Sequence, residues 1–358
     1  MSKSGISLAL LLALMLAAAQ MFGQANQTAA KEPADKLIAV LKSDAPYQQK
    51  ADACRQLATA GTKDAVAPLA AMLGDEKLSH MARYALEPIP DPAVDDALRD
   101  ALGKVKGRPL VGVIGSIGVR RDPEAVEALA GRLQDADADV AQAAARALGR
   151  IGTSRAAKAL NSAWANVPAG NQLAFCEGLF RCAEALAARG QRDEAMAIYD
   201  RLRIMHAAHQ VRAGALRGAI LTREQDGLPL LRENLRSKDY VLLAAACRTT
   251  HEMPGHEVTQ LLAAELSQPQ LPAGNQVLVI QTLGQRADPA ALPALFGLAK
   301  SGGKSARLAA IRALAQIGEA SAAPVLAGLT KDADPEIVQA AQESLTSLPG
   351  AQSKPNER

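Results

Sequence analysis

The chain reads as an all-α protein, a right-handed α-solenoid of about ten helical hairpins, and three observations carry that reading. A short apolar phrase returns along the 358 residues. Arg146-Ala147-Leu148, Ile151-Gly152 and Ala156-Ala157-x-x-Leu160 are matched by Arg312-Ala313-Leu314, Ile317-Gly318 and Ala322-Ala323-x-x-Leu326. A unit of roughly 30 residues cannot bury its own apolar face and stacks on its neighbours. Hydrophobic residues are 49% of the chain and aromatics only 3%. Ala and Leu therefore carry the apolar mass, which suits closely packed helices and not strands. Helix-start signals keep the same rhythm at Asp91-Pro92, Asp122-Pro123, Asp288-Pro289 and Asp334-Pro335. There Asp caps free N–H groups and Pro tolerates the first helical position.

Taken in order, residues 1–25 read as a signal peptide. Lys3 supplies the positive start, Leu8 to Ala19 an apolar run, and Gly23-x-Ala25 the small residues of a cleavage site. The run is shorter than the roughly 17–25 residues that span a bilayer, so contact with a membrane is expected only through this segment. The mature chain is expected to be exported, periplasmic or secreted. Residues 26–33 read as a flexible lead-in and 350–358 as a disordered tail, with the solenoid over 34–349. First helices are expected near 34, 64, 91, 123, 155, 192, 226, 256, 288 and 320, and second helices near 47, 79, 108, 138, 171, 209, 239, 274, 304 and 335. In the fourth unit Val140, Ala143, Ala144, Ala147, Leu148 and Ile151 form one helical stripe, leaving Gln142, Arg146 and Arg150 off it. Gly61, Gly118, Gly152 and Gly318 are expected as left-handed helix ends. Residues 171–205 are the irregular unit, where the turn around Gly190 looks like that of a tetratricopeptide repeat.

Val140-x-x-Ala-Ala-x-Arg-Ala-Leu-Gly-x-Ile-Gly and Ile311-Arg-Ala-Leu-Ala-Gln-Ile-Gly resemble HEAT repeats of the phycobilisome-lyase-like class. The likeness covers 34–160 and 274–348, and is looser over 161–273. Ala82-Arg-Tyr-Ala-Leu-Glu-Pro-Ile-Pro-Asp-Pro, continuing to Val113-Ile-Gly-Ser-Ile-Gly-Val-Arg-Arg-Asp, looks like a segment of exported bacterial HEAT proteins. The resemblance implies a solenoid and either a scaffold or a pigment-attaching lyase. Such lyases act in the cytoplasm, which sets them against the signal peptide.

Charge excludes less than it selects. Forty basic and 37 acidic side chains leave +3, without the surplus of a nucleic-acid binder, so no nucleic-acid partner is expected. Cys54, Cys176, Cys182 and Cys247 read as buried thiols between helices. His206 and His209 lie one turn apart without a third ligand at helical spacing, and read as polar helix-end residues. His251 and His256 straddle Pro254-Gly255, which breaks the continuous helix a zinc-protease pair needs. Asp135, Asp137 and Asp139 lack the glycine and terminal glutamate of a calcium loop, and read as helix caps, as do Asp332 and Asp334. No nucleophile–base set and no phosphate loop occurs, so no catalysis, metal or cofactor is expected.

Arg55, Arg146 and Arg312 share one slot of their second helices, with Gln281 in a fourth. They are expected to line a concave, partly basic groove that grips an acidic or carbonyl-rich protein partner. Lys104, Lys106, Arg108, Arg120 and Arg121 gather at one inter-repeat edge and form a second contact patch. The function expected is thus a non-catalytic, protein-binding scaffold. The competing expectation is an accessory or lyase-like protein handling a cofactor within 171–256, the stretch that holds four of the five histidines.

Overall fold

The computed structural model describes residues 33–205 and 207–349. The expected signal peptide, the tail, His206 and all of the lead-in except Pro33 lie outside the described residues. Among these residues the structure is entirely helical, with twenty α-helices and no strand. They pair as hairpins: α1 Ala34–Lys42 with α2 Tyr47–Ala60, α3 Lys63–Ala70 with α4 Ser79–Leu86, and α5 Ala93–Leu102 with α6 Gly107–Arg120. Next come α7 Val126–Ala130 with α8 Ala138–Ile151, α9 Ser154–Ala163 with α10 Gln172–Ala188, and α11 Arg192–Ile204 with α12 His209–Thr222. The last are α13 Leu228–Leu235 with α14 Tyr240–Thr249, α15 His256–Glu265 with α16 Ala273–Arg286, α17 Leu292–Ser301 with α18 Lys304–Ile317, and α19 Ala323–Leu329 with α20 Pro335–Ser347. The fold is an α-solenoid. It divides into two compact units, one ending at Ala128 and the other beginning at Leu129. Among the described residues no helix is long and apolar enough to cross a membrane.

Local chemistry explains the helix starts. The side chains of Asp122, Asp288 and Asp334 accept the backbone N–H groups of Glu124, Ala290 and Glu336, and Asp91 accepts that of Ala93. The alternating aspartates do the same in series: Asp135 accepts from Asp137 N at 3.0 Å, and Asp137 from Asp139 N at 2.9 Å. A carboxylate two residues ahead of a free N–H satisfies a donor that the helix cannot. Helix ends follow the expectation in part. Gly152 and Gly318 are left-handed, with φ of 65° and 75°. Gly61 ends α2 in extended backbone (φ −70°), and Gly118 lies inside α6, whose left-handed residue is Arg121 (φ 55°). The helix runs past Gly118 because Val119 and Arg120 continue its turn, and Arg120 is held by contacts to the preceding repeat.

Packing between second helices relies on small residues. In the second unit a Cβ placed on Gly149 of α8 would lie 2.6 Å from Cα of Gly178 on α10. The two backbones touch where no side chain intervenes. The irregular unit has a simple origin in α10, whose 17 residues and two preceding 3-10 turns lengthen the unit. All four cysteines are buried and unbridged. Burial pushes the thiols of Cys54 and Cys176 up to about 11 and that of Cys182 to about 12, which leaves them protonated and inert.

Candidate functional site

Each second helix buries an apolar face and leaves several positions open to solvent, one of which recurs at the same place of the repeat. In the second unit that position recurs as Arg146, Glu177, Arg217, Arg248, Gln281, Arg312 and Glu343. Two kinds of contact link successive second helices in this register. Gly149 meets Gly178, and Gly284 meets Ala313. Cys247 bonds to Thr282, and the Ser344 hydroxyl donates to the Ile311 carbonyl at 3.3 Å. The glycine contacts join the residue three after the outward position to the residue one after it on the next helix, and the other two join the residue one before it to the residue one after it on the next helix. The same slot in the first unit holds Arg55, Tyr84 and Gly115, each ten residues before a buried residue of the next hairpin (Ala65, Val94 and Ala125).

The outward charges fall into two groups. Arg146 Nε meets Glu177 Oε2 at 3.0 Å, and Arg181 reaches the other oxygen of the same carboxylate at 3.2 Å. Arg217 grips both oxygens of Glu252, which holds that carboxyl below its ordinary value. In the first unit Arg55 is bound to Asp52 of its own helix. These arginines already have anions. Arg248, Gln281 and Arg312 differ. All three are exposed, and none of their side chains makes a hydrogen bond or ion pair with the described residues.

Arg120, expected in a contact patch, points inward instead. Its side chain is only 13% exposed and lies 2.9 Å from an Asp95 oxygen. Its remaining donors go to the carbonyls of Glu87 (3.0 Å), Ile89 (2.8 Å) and Asp91 (3.3 Å). A planar fork closes the Glu-Pro-Ile-Pro-Asp turn, a task that needs several donors in one plane. Lys104, just past the end of α5, lies 3.5 Å from Asp100 of that helix. Lys106, Arg108 and Arg121 remain exposed.

Three features escaped the sequence reading. Arg248 and Arg217 occupy the arginine slot, and the spacing could have found them, since Val258 and Gly227 follow them by ten residues. Glu177 could not be found this way, because the longer α10 breaks the count. The third is Arg83. Its equivalents one place before the outward slot are Cys54, Ile114, Ala145, Cys176, Leu216, Cys247, Ile280 and Ile311, all buried and apolar, with the exposed Gln342 in the last repeat. Arg83 puts a guanidinium there, and Gly112 of α6 leaves the space it fills. Its Nη1 donates weakly to the Ser116 hydroxyl at 3.4 Å, and that hydroxyl donates to Glu87 Oε1 at 2.6 Å. Buried Nε has no partner. Burial pulls the Arg83 pKa down, with Glu87 opposing.

The histidines do not converge. His256 bonds through Nδ1 to Asp288 at 2.9 Å in the next hairpin, while His251 is exposed; His206 lies outside the described residues, and His209 is the first residue of α12. Among the described residues no three His, Cys, Asp or Glu side chains gather as a metal site. A cleft of about 540 Å³ opens between α10 and α12, lined by Leu173, Phe180 and Val211 with Glu177, Arg181 and Glu184 at its edge.

Residues 111–174 and 272–346 match the family described as HEAT repeats. No curated protein matches the chain in sequence. Among solved structures, Kap95p in its complex with RanGDP is similar at TM-score 0.50 and 13% identity, over 88% of this chain and 50% of that one. A Kap121p mutant is similar at 0.49 and 13%, over 90% and 42%. Human deoxyhypusine hydroxylase aligns at 0.31 and 18%, over 88% and 96%. The Kap95p likeness establishes fold alone, that of a helical-repeat solenoid, in agreement with the repeats matched in sequence.

Proposed function

We propose that this chain is an exported HEAT-repeat scaffold of the phycobilisome-lyase-like class, which binds a protein partner along its second helices and catalyses nothing itself. The observation that carries the reading is the ladder of the second unit, in which each second helix offers a polar position at the same place of the repeat. A repeating row of polar side chains on a rigid apolar stack suits the grip of another polypeptide, where many modest contacts add along a surface. Kap95p, of similar fold, engages the protein RanGDP, which supports protein binding as the use of such a stack. Export rests on residues 1–25 as read from the sequence.

The test is capture of partners by residues 26–358 from an envelope extract of the source organism, with chemical crosslinking and mass spectrometry. The expected result is one dominant protein whose crosslinks fall on exposed second-helix residues. No protein above background, or crosslinks confined to the first helices, would overturn the proposal. In that event the cleft beside Leu173 and Phe180 becomes the place to test small-molecule binding.

A further inference from the structure

We infer that the outward face of α14, α16 and α18 is a dock for an extended acidic segment of a partner protein, held by Arg248 and Arg312 with Gln281 between them. The inference rests on the scaffold reading and adds the place and chemistry of the contact. These three helices stack side by side, and none contains an aspartate or glutamate. Their other cations are spent. Arg286 donates to the carbonyls of Thr250, Met253 and Gly255 and to the Thr259 hydroxyl. Arg307 pairs with Asp332, and Lys304 with Asp334 and Glu336. Arg248 and Arg312 remain, exposed and without an anion.

The surroundings sharpen the contrast. Glu252, in the 3-10 turn that continues α14, is already forked by Arg217 of α12. On the α20 side Glu343 accepts from Gln339 at 2.8 Å. The three helices thus form a window with no acid of their own, and the carboxylates beside it are already engaged. Elsewhere on the ladder an arginine is neutralised by a carboxylate of the same chain, as Arg146 is by Glu177. In the window the anions must come from outside.

Geometry sets the form of the partner. Neighbouring packed helices lie roughly 8–10 Å apart, so Arg248 and Arg312, two helices apart, are separated by roughly 16–20 Å. An extended chain rises about 3.3 Å per residue, so about five or six residues bridge that distance. Side chains on one side of an extended chain fall at even separations, which places two carboxylates about four or six residues apart over the two guanidinium groups. Gln281 lies under the middle, where its amide offers both a donor and an acceptor to the segment's backbone.

The test uses the full chain and immobilised peptides of about 12 residues, long enough to cross the window when extended. One peptide alternates Glu with Ser, and two controls replace every Glu by Gln or by Lys. Binding is measured at low and high salt for the parent, for Arg248→Glu with Arg312→Glu, for Arg248→Lys with Arg312→Lys, and for Lys158→Glu on the exposed side of the first helix α9, off the ladder. A thymidine oligonucleotide serves as competitor, and circular dichroism checks that each variant is folded. The Glu peptide should be held about tenfold or more tightly than the Gln peptide at low salt, and less so at high salt. Double reversal should abolish that preference, the lysine pair should keep part of it, and Lys158→Glu should leave it unchanged. Equal retention of the Glu and Gln peptides overturns the inference, as does binding indifferent to the double reversal. Displacement by the oligonucleotide at lower concentration than by free Glu peptide also overturns it, in favour of a polyanion site. A partner captured from extract by a chain that fails here leaves the scaffold reading standing without this dock.

Discussion

Replacing Gly149 by alanine adds one methyl group at the seam between α8 and α10. That Cβ would sit 2.6 Å from the Gly178 Cα and 2.8 Å from its carbonyl oxygen. Non-bonded carbons rest about 3.5–4.0 Å apart, so the helices must part by about 1 Å, a gap that forfeits roughly a quarter to a half of each contact along the seam. Overpacking costs about 1–3 kcal/mol, and a clash of backbone against backbone sits at the upper end because no side chain can rotate away. Against this, alanine favours the helix over glycine by about 1 kcal/mol. The net expectation is about 2 kcal/mol of destabilisation. Gly297 in α17 is the control within the same unit. It is exposed, and a Cβ there meets nothing within 4 Å, so Gly297→Ala should gain about 0.5–1 kcal/mol. Guanidinium unfolding followed by far-ultraviolet circular dichroism separates the two by the sign of the midpoint shift. A Gly149→Ala midpoint at or above that of the parent would refute the close approach and the argument built on it.

Arg120→Ala should destabilise the first unit by about 3 kcal/mol, since it strands Asp95 and three carbonyls at once. Arg120→Lys should recover little of this, as a single ammonium cannot replace the fork; hydrogen exchange across residues 87–92 reads both, and full rescue by lysine would refute the role. Replacing Arg83 by Met together with Glu87 by Gln should be neutral or stabilising by about 1–2 kcal/mol, because a poorly satisfied buried charge gives way to apolar packing. A loss of comparable size, measured by the same unfolding curves, would show that the polar cluster stabilises. Stability should fall on acidification. The Asp288 carboxyl is raised by burial, but the Ala290 N–H, the Thr259 hydroxyl and His256 outweigh it and hold the group below its ordinary value. Asp332 is held down by Arg307. A carboxyl with a depressed folded pKa contributes stability that is present above its unfolded value, near 4, and lost as pH falls through the folded one. The melting temperature should therefore be flat from neutrality to about pH 5 and decline below about pH 4, and Asp288→Asn should flatten the decline. A melting temperature that rises on acidification contradicts these assignments.

Much of the architecture was legible in the chain because it is written in local, repeating terms. A 3.6-residue apolar stripe, an aspartate ahead of a free N–H and a repeat of about 30 residues each specify structure within one unit or between neighbours. Hence the hairpins and the Asp-Pro caps could be read directly from the letters. The outward slot was legible at Arg55, Arg146, Gln281 and Arg312 for the same reason. What the letters did not reveal was which arginine has an anion. Asp52 lies on the helix of Arg55, but Glu177 belongs to the helix beside Arg146, and Glu252 reaches Arg217 across 35 residues. Those distances close only when hairpins stack. Arg120 shows the same limit, since its basic letter suggests a surface while its four partners lie 25 to 33 residues away. Sequence by itself determined the repeating stack and the row of polar positions along it. Tertiary structure alone decided which of those charges are neutralised within the chain and which stay open, because the electrostatics of a side chain depend on neighbours in space, which a solenoid supplies from the next repeat.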